Sequence, residues 1–577
     1  MASHFKPKNK NNDIDRIIEE VCNPKYLEKG ELHKDAMARI AGTLADDDRH
    51  FTTILDILET QRFLPAGRIQ SSVGAARQTT AFNCFVSGTI EDSRLGIFRR
   101  LAEAAETMGL GGGDGFDFST IRPRGALIKS QGSGASGPVS YMMVWDSMCK
   151  TIASAGNRRG AMMAVLRVDH PDIEEFIDAK REPGVLTQFN ISVACTDEFM
   201  KAVKDDLDFD LKFEGHVYKT VKARLLWDKI MRFNWSYAEP GVLFIDRINA
   251  KNNLYYCEDI AATNPCGEQP LPPNGACLLG SFVAPKYIKE MDGVRWFDFE
   301  WFRRDIAPVV RMMDNVIDNT IYPLPDQKVE AHRKRRMGLG LTGVANAAEA
   351  LGMSYGSHEM IYFCEHLMSM LRNEAYKASV QLAKEKGPFP LFDAEKYCES
   401  EYIKTLPTNI IRDIANYGIR NSHLLSIAPT GTISLYAGNV SSGIEPPFSL
   451  EYTRKTIMED GSIADWTVMD YAYDRWGIEG KTSDELSAKE HIDVLTTFSK
   501  LVDSACSKTC NVGDEVSFEE FKDLYLRAYE GGASGCTTYR PSASANRGAV
   551  LEKKKEGANE GAQCTIDPTT GERSCAD

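Results

Sequence analysis

The chain has no uninterrupted apolar run long enough to cross a bilayer. Its first residues, MASHFKPKNKNNDIDRIIEE, contain no apolar stretch of the signal-peptide kind. The expectation is a cytoplasmic protein with no membrane attachment. Positive charge is also short: 68 Lys and Arg stand against 82 Asp and Glu, a formal net charge of −14. That balance excludes a general nucleic-acid binder, although a single nucleotide needs only a few local donors. Standard phosphate motifs are missing as well. No GK[ST] follows a glycine-rich loop, and the glycines at 111 to 115 do not form G-x-G-x-x-G after a clear strand. No fixed-period repeat is present, and Cys506 and Cys510 (CSKTC) have no second ligand pair at zinc-finger spacing. No metal-ligand set is therefore expected within the chain.

What the sequence does hold is ample material for a large core, with 577 residues of which 43% are hydrophobic. Residues 13 to 60 show helical periodicity. From Phe63 short apolar runs such as AFNCFVSGTI and LTQFNISVAC alternate with amphipathic stretches such as SRLGIFRRLAEAAETMGL and EHLMSMLRNEAYKASVQLAKEKG. Such alternation is the mark of a large α/β protein. Residues 552 to 577 are charged, glycine-rich and nearly free of apolar side chains, which predicts a mobile tail. The expected division is 1–62 helical, 63–551 α/β and 552–577 tail.

Fourteen cysteines with no secretory signal should be mostly reduced. Cys22, Cys149, Cys195, Cys257, Cys364 and Cys398 read as small buried hydrophobes. Cys506 and Cys510, at helical i, i+4 spacing, also read as structural. Cys564 and Cys575 lie in the tail, where packing gives a thiol no role and chemistry is the better reason for it. Two basic clusters are present, Asn157-Arg158-Arg159-Gly160 and HRKRR at 332 to 336, and the second has a solvated helix face as its ordinary reading.

The segment NPCGEQPLPPNGACLLGS, Asn264 to Ser281, is different. Its prolines 265, 270, 272 and 273 and glycines 267 and 275 exclude a helix and disfavour a central strand. Cys266 is thus held on an irregular loop. If that loop is extended, Asn264, Cys266 and Glu268 share one face, bringing together a hydrogen-bonding amide, a reactive sulfur and a general base. A second loop, Pro429-Thr430-Gly431-Thr432-Ile433, offers backbone N–H groups and hydroxyls suited to phosphate.

Taken together, NPCGEQPL, PTGTIS, AFNCFVSGTIEDS, GGGDGFDFSTIRP, NRRGAMMAVLRVDHPDIEEF and CTTYRP resemble, in order and spacing, the catalytic subunit of ribonucleotide reductase. The resemblance implies a ten-stranded α/β barrel of two five-stranded halves, a central finger loop and a short helical region before it. Cys266 matches the thiyl-radical residue that abstracts the ribose 3′ hydrogen. Glu268 matches the base for the 3′ hydroxyl, and Asn264 its hydrogen-bonding partner. Cys84 and Cys277 match the dithiol that reduces the 2′ position. Asn83, Cys84, Gly113, the loop Asn264, Pro265, Cys266, Gly267 and Glu268, and Pro429, Thr430, Gly431, Thr432 and Ile433 match substrate contacts. Cys564 and Cys575 resemble the tail pair that re-reduces the disulfide by thiol exchange, although their spacing is wider than in short tail motifs. Asp92 matches a contact to the specificity effector, a dNTP or ATP, and REPGVLTQF the loop relaying effector identity. Only about sixty residues precede the match, so the regulatory domain many members carry is expected to be missing.

The resemblance also bears on the radical source. The branch with a separate metal subunit uses adjacent tyrosines near the C-terminus, where this chain has Cys536-Thr537-Thr538-Tyr539-Arg540-Pro541 and one tyrosine. The glycyl-radical branch needs an RVxGY-like segment, which does not occur. What remains is similar to the adenosylcobalamin-dependent branch, which does not rely on the absent D-x-H-x-x-G cobalt-ligand motif. The implied partners are a ribonucleotide, diphosphate ahead of triphosphate, a thioredoxin- or glutaredoxin-like reductant and a second copy of the chain. The alternatives are a catalytic subunit fed by a metal-radical partner and, from another class, an inactive nucleotide-binding relative.

Overall fold

Two amphipathic helices near the N-terminus, His33–Leu44 and Asp48–Glu59, show how local patterning produces the first elements. Ala36, Met37, Ile40, Ala41 and Leu44 recur at three- and four-residue spacing and are buried. Asp47 ends the intervening turn and accepts a hydrogen bond from His50 N at 2.7 Å, capping the second helix. The computed structural model describes residues 12–128, 132–152, 160–182, 184–457, 462–540, 551–553, 564–566 and 573–575. The basic cluster at 157–159 lies outside them, as does most of the tail.

The strands that build the centre are β1 (Phe63–Pro65), β2 (Cys84–Val86), β3 (Gly113–Asp117), β4 (Met162–Arg167), β5 (Phe189–Cys195), β6 (Gly241–Phe244), β7 (Ala276–Cys277), β8 (Leu279–Val283), β9 (Gly338–Thr342), β10 (Thr509–Asn511) and β11 (Gly535–Tyr539). An eight-stranded sheet runs β7-β2-β3-β4-β5-β6-β11-β10. Within it β2 to β6 are mutually parallel, and each is joined to the next through helices such as Arg94–Gly109, Pro138–Thr151 and Ala223–Tyr237. A three-stranded sheet runs β1-β8-β9. Only Leu278 separates β7 of the first sheet from β8 of the second. Parallel bridges from Leu339 to Leu425 and from Ile427 to Cys506 continue from β9 toward the segment that ends in β10. The fold is thus mixed α/β with a large parallel component.

Side-chain alternation along the parallel strands sorts the interior from the helix-packed face. Met162, Ala164 and Leu166 of β4 join one core with Trp145, Phe116 and Phe189. Met163 and Val165 face the other way, into a small cluster with Cys84, Val86, Ala194, Leu243, Ala262, Leu271 and Ala428. The hairpin bearing Cys266 is rooted in that inner cluster, so period-2 alternation is what turns Cys84 toward the Cys266 loop.

Three sequence expectations change. HRKRR is not a solvated helix face, since Lys334, Arg335 and Arg336 are buried. Arg335 pairs with Asp314 and Asp318, each at 2.8 Å, and Lys334 with Glu258 at 2.8 Å, while Arg336 also meets Glu258. The carboxylates come from other elements, so local spacing could not reveal them. Cys506 and Cys510 do not share a helix: Cys506 sits at a parallel bridge and Cys510 within β10. Cys257 is exposed and Cys398 half-buried, while Cys22, Cys149, Cys195 and Cys364 are buried as read from their neighbours. Among the described residues no helix is long and apolar enough to cross a membrane.

Candidate active site

The Cys266 loop is the tip of a small antiparallel hairpin in which Ala262 stands opposite Leu271 and Thr263 opposite Pro270. Its tip is a closed turn rather than the extended segment expected. Gly267 N donates to Asn264 O at 3.0 Å, Asn264 N to Gln269 O at 3.1 Å, and Gln269 N to the Asn264 side-chain Oδ1 at 2.9 Å. Gly267 has φ +81°, in the left-handed region that glycine supplies without strain. Neighbouring elements fix the turn from outside. Asn190 Nδ2 donates to Pro265 O at 2.8 Å, while Ala505 N and Ser426 Oγ both donate to Glu268 O at 3.0 Å. The turn leaves Cys266 exposed at the tip and buries Asn264 and Glu268 beside it. Asn264 Nδ2 is buried with no hydrogen-bond partner among the described residues.

A cavity of about 370 Å³ opens on one side of this tip, and Cys266, Glu268, Cys84 and Asn83 line it with the loop from Pro429 to Ile433. Most of the expected substrate contacts are therefore brought together. Asn264 is enclosed in the turn, and neither it nor Gly113 lines the cavity. A Cβ at Gly113 would lie 3.3 Å from Cys84 Sγ and 3.1 Å from Pro265 Cγ. At Asn83, Oδ1 is buried with no hydrogen-bond partner among the described residues.

Cys84 and Cys277 are paired directly in the antiparallel register of β2 and β7. Such opposed residues have Cα atoms about 4.5–5.5 Å apart, within the range a disulfide spans. Cys564 likewise stands opposite Cys575 in a two-stranded ladder of Cys564–Ile566 with Arg573–Cys575. Asp92 lies elsewhere: its Oδ2 accepts from Arg122 Nε at 2.7 Å.

The Pro429–Ile433 loop turns at Thr430, whose φ is +52°, into a short helix Gly431–Tyr436. Thr430 Oγ1 is taken up in framing the loop, 2.9 Å from Thr342 Oγ1 and accepting from Gly443 N at 2.8 Å. The first N–H groups of a helix have no intrahelical acceptor. Gly431, Thr432 and Ile433, which carry them, line the cavity, and a Cβ at Gly431 would meet nothing within 4 Å. An anion is the ligand such a cradle suits.

Sequence reasoning missed Lys25, Tyr26, Arg68 and Ser71, which also line the cavity. They lie before the motif-bearing stretches and carry no spacing signal.

A second cavity, of about 350 Å³, borders the same loop. Pro265, Cys266 and Gly267 border it, facing Asn190, Glu239, Lys508 and Cys536. Cys266 thus belongs to both cavities. Lys508 Nζ donates to Glu445 Oε2 at 2.7 Å and lies 3.0 Å from His491 Nδ1. Burial and then that ammonium push the His491 imidazole down to about 3, so it is neutral. A hydrogen bond with Cys510, and then burial, push the Cys536 thiol up, and burial pushes Cys506 to about 12. Both are therefore poor thiolates.

Residues 82–539 match the family model described as the barrel domain of ribonucleotide reductase. The chain is 36% identical over 486 residues to a vitamin B12-dependent ribonucleoside-diphosphate reductase of Thermoplasma acidophilum, covering 79% of this chain and 61% of that protein. A protein of the same description from Mycobacterium tuberculosis is 35% identical over 521 residues, covering 85% of this chain and 71% of the relative. A vitamin B12-dependent ribonucleotide reductase of Streptomyces coelicolor is 27% identical over 86% of this chain and 60% of its own length. The chain therefore spans roughly three fifths to seven tenths of these relatives.

Proposed function

The chain belongs to the ribonucleotide reductase family, and from that premise we propose that it reduces ribonucleoside diphosphates to 2′-deoxyribonucleotides with adenosylcobalamin as its radical source. The observation that carries this reading is one cavity lined by Cys266, Glu268 and Cys84, with Cys277 opposite Cys84 in strand register.

The residues divide the reaction among them. Cys266, as a thiyl, takes the ribose 3′ hydrogen. Glu268 accepts the 3′-hydroxyl proton, and the Asn264 amide, enclosed in the turn as a donor without an acceptor among the described residues, is the group assigned to that same oxygen. The Cys84 and Cys277 thiols supply the proton that lets the 2′ hydroxyl leave as water and the two electrons that reduce the sugar. They become a disulfide, and the hydrogen held on Cys266 returns to C3′. One ribonucleotide and one dithiol thus give one deoxyribonucleotide, one disulfide and one water. The buried Asn83 carbonyl oxygen suits a sugar hydroxyl, and the N–H groups after Thr430 suit the diphosphate. Cys564 and Cys575, opposed in register, suit thiol exchange with the disulfide, and a thioredoxin- or glutaredoxin-like protein would renew them.

The second cavity also borders the Cys266 loop, and at about 350 Å³ it would take the adenosyl end of the cofactor rather than the whole corrin, with Asn190, Glu239 and Lys508 in its lining. When bound there, adenosylcobalamin supplies the one-electron chemistry that removes hydrogen from the Cys266 sulfur.

We read the strands as a ten-stranded barrel. One half is β2 to β6, and the other is β8, β9, the segment around Leu425 to Ile427, the segment ending in β10, and β11. The two parallel bridges, the antiparallel β6–β11 pair and the continuity from β7 into β8 support closure. The domain division 1–62, 63–551 and 552–577 follows from it. Exposed Leu95, Phe98 and Met143 near Asp92 favour a homodimer with a nucleotide effector at the contact, and the reduced thiols suit the cytoplasm.

The test is the full chain with a nucleoside diphosphate, adenosylcobalamin and a small dithiol. Deoxynucleotide should form, none should form without cobalamin, and one turnover without reductant should leave a Cys84–Cys277 disulfide. No product from the complete mixture would refute the reading, and product that appears only with a metal-radical subunit would replace the radical source.

A further inference from the structure

The cavity beside Cys266 is finished by residues from outside the stretch matched to the family model. Residues 82–539 supply the sulfur, the carboxylate and the phosphate loop, whereas Lys25, Tyr26, Arg68 and Ser71 come from before it. Among the cavity-lining residues Lys25 and Arg68 are the cations and Glu268 the carboxylate.

The segment carrying Lys25 is held firmly. Ile14, Ile17, Cys22 and Tyr26 belong to the large core. Asp13 N donates to Thr467 O at 2.8 Å, and Thr467 N donates to Asp13 Oδ2 at 2.9 Å. The Tyr26 ring stands edge-on to Tyr436, centroids 5.6 Å apart, and rests where a Cβ on Gly67 would be 2.4 Å from it. Tyr436 is the last residue of the helix that begins at Gly431, and its hydroxyl lies 2.5 Å from His33 Nδ1. Tyr26, next to Lys25, is thus packed against the helix whose first residues line the cavity. Lys25 itself is exposed and makes no ion pair among the described residues. Arg68, by contrast, is buried, with its guanidinium carbon 2.6 Å from where a Gly111 Cβ would be.

Helix N–H groups carry no net charge, the Thr430 hydroxyl is already engaged with Thr342 and Gly443, and of the two cavity-lining cations Arg68 is buried and Lys25 exposed. A lysine ammonium is a compact charge on a long stem with three donors. We propose that Lys25 is a phosphate-binding residue, closing over the terminal phosphate of the nucleotide seated on the Pro429–Ile433 loop. Recognition of the diphosphate then depends on docking of the N-terminal segment as well as on the barrel. This rests on the nucleotide reading of the cavity given above.

The experiment titrates the full-length chain and its Lys25→Met and Lys25→Arg variants with a nucleoside diphosphate, with the matching nucleoside and with inorganic pyrophosphate. Methionine keeps the apolar stem and removes the charge. Loss of a charge-assisted hydrogen bond should weaken diphosphate and pyrophosphate binding by roughly ten- to a hundredfold in Lys25→Met. Nucleoside binding should change by less than about twofold, and Lys25→Arg should recover most of the loss. Diphosphate binding in Lys25→Met equal to wild type overturns the inference. An equal loss for diphosphate and nucleoside also overturns it, because that pattern reports packing of the segment rather than charge. A wild-type chain that binds no diphosphate overturns the nucleotide reading and this inference with it, which keeps the two failures distinguishable.

Discussion

Three glycines around the Cys266 hairpin make a graded test of how tightly the sulfurs assigned to the proposed reaction are positioned. A Cβ at Gly113 would lie 3.1 Å from Pro265 Cγ, 3.2 Å from Ala161 O and 3.3 Å from Cys84 Sγ. The Ala161 carbonyl is backbone and cannot yield easily, so Gly113→Ala must push Pro265 or Cys84 aside by a few tenths of an ångström. Overpacking of that size costs about 1 kcal/mol of stability. Because a misplacement of about 1 Å can cost on the order of a hundredfold in rate, a smaller shift of the dithiol against the radical loop should cost about three- to tenfold. Gly115→Ala is more severe: its Cβ would sit 1.9 Å from Thr263 O, at the root of the hairpin, and the whole loop must move. A loss of about a hundredfold or a failure to fold is expected. Gly267→Ala meets nothing within 4 Å but carries φ +81°, so it should cost about 1 kcal/mol of backbone strain with no clash. The assay is the single-turnover rate of Cys84–Cys277 disulfide and deoxynucleotide formation without reductant, with thermal unfolding recorded in parallel. Gly113→Ala at the wild-type rate, or Gly115→Ala no slower than Gly267→Ala, would show that the barrel wall does not position the sulfurs.

Replacing Cys266 by Ser should abolish product while leaving nucleotide affinity within about threefold, since the cavity keeps its shape; a variant that turns over normally removes Cys266 from the mechanism. Cys564→Ser with Cys575→Ser should leave the first turnover intact and halt multiple turnover with a protein reductant, which quench-flow followed by steady-state assay separates. Glu349 offers a stability test. Its Oε2 accepts from Asn346 Nδ2 at 3.3 Å, and the same nitrogen donates to Asp470 at 2.9 Å. Burial, and then the Asp470 charge, raise the Glu349 carboxyl, so the folded protein holds a proton that the unfolded chain releases. That stabilisation is complete below the ordinary carboxylate range and is lost as pH rises toward the raised value, at about 1.4 kcal/mol per pH unit. Glu349→Gln should flatten this decline in unfolding temperature between acid and neutral pH, and an unchanged slope would refute the assignment.

Much of the site was legible in residue types and local rules. Prolines and glycines flanking Cys266 announced an irregular loop, and the alternation of short apolar runs with amphipathic stretches announced α/β. The i−2, i, i+2 argument placed Asn264 and Glu268 beside Cys266 but assumed extended backbone. In the fold a turn closed by Asn264 Oδ1 and the left-handed Gly267 brings them together instead. The helical spacing of Cys506 and Cys510 misled for a related reason, because i, i+4 spacing also fits a segment passing from a bridge into a strand.

The sequence by itself determined which groups could do the chemistry, since side-chain type, backbone freedom at glycine and proline, and amphipathic period are local properties. Only the tertiary structure decided which of those groups meet. Cys84 finds Cys277 through the register of β2 against β7, a one-residue slip of which would turn the pair to opposite faces. Arg335 and Arg336 are buried because Asp314 and Glu258 arrive from other elements. Lys25 borders the cavity because Tyr26 docks on Tyr436. Such pairings depend on long-range packing between segments far apart in the chain, and no local pattern carries that information.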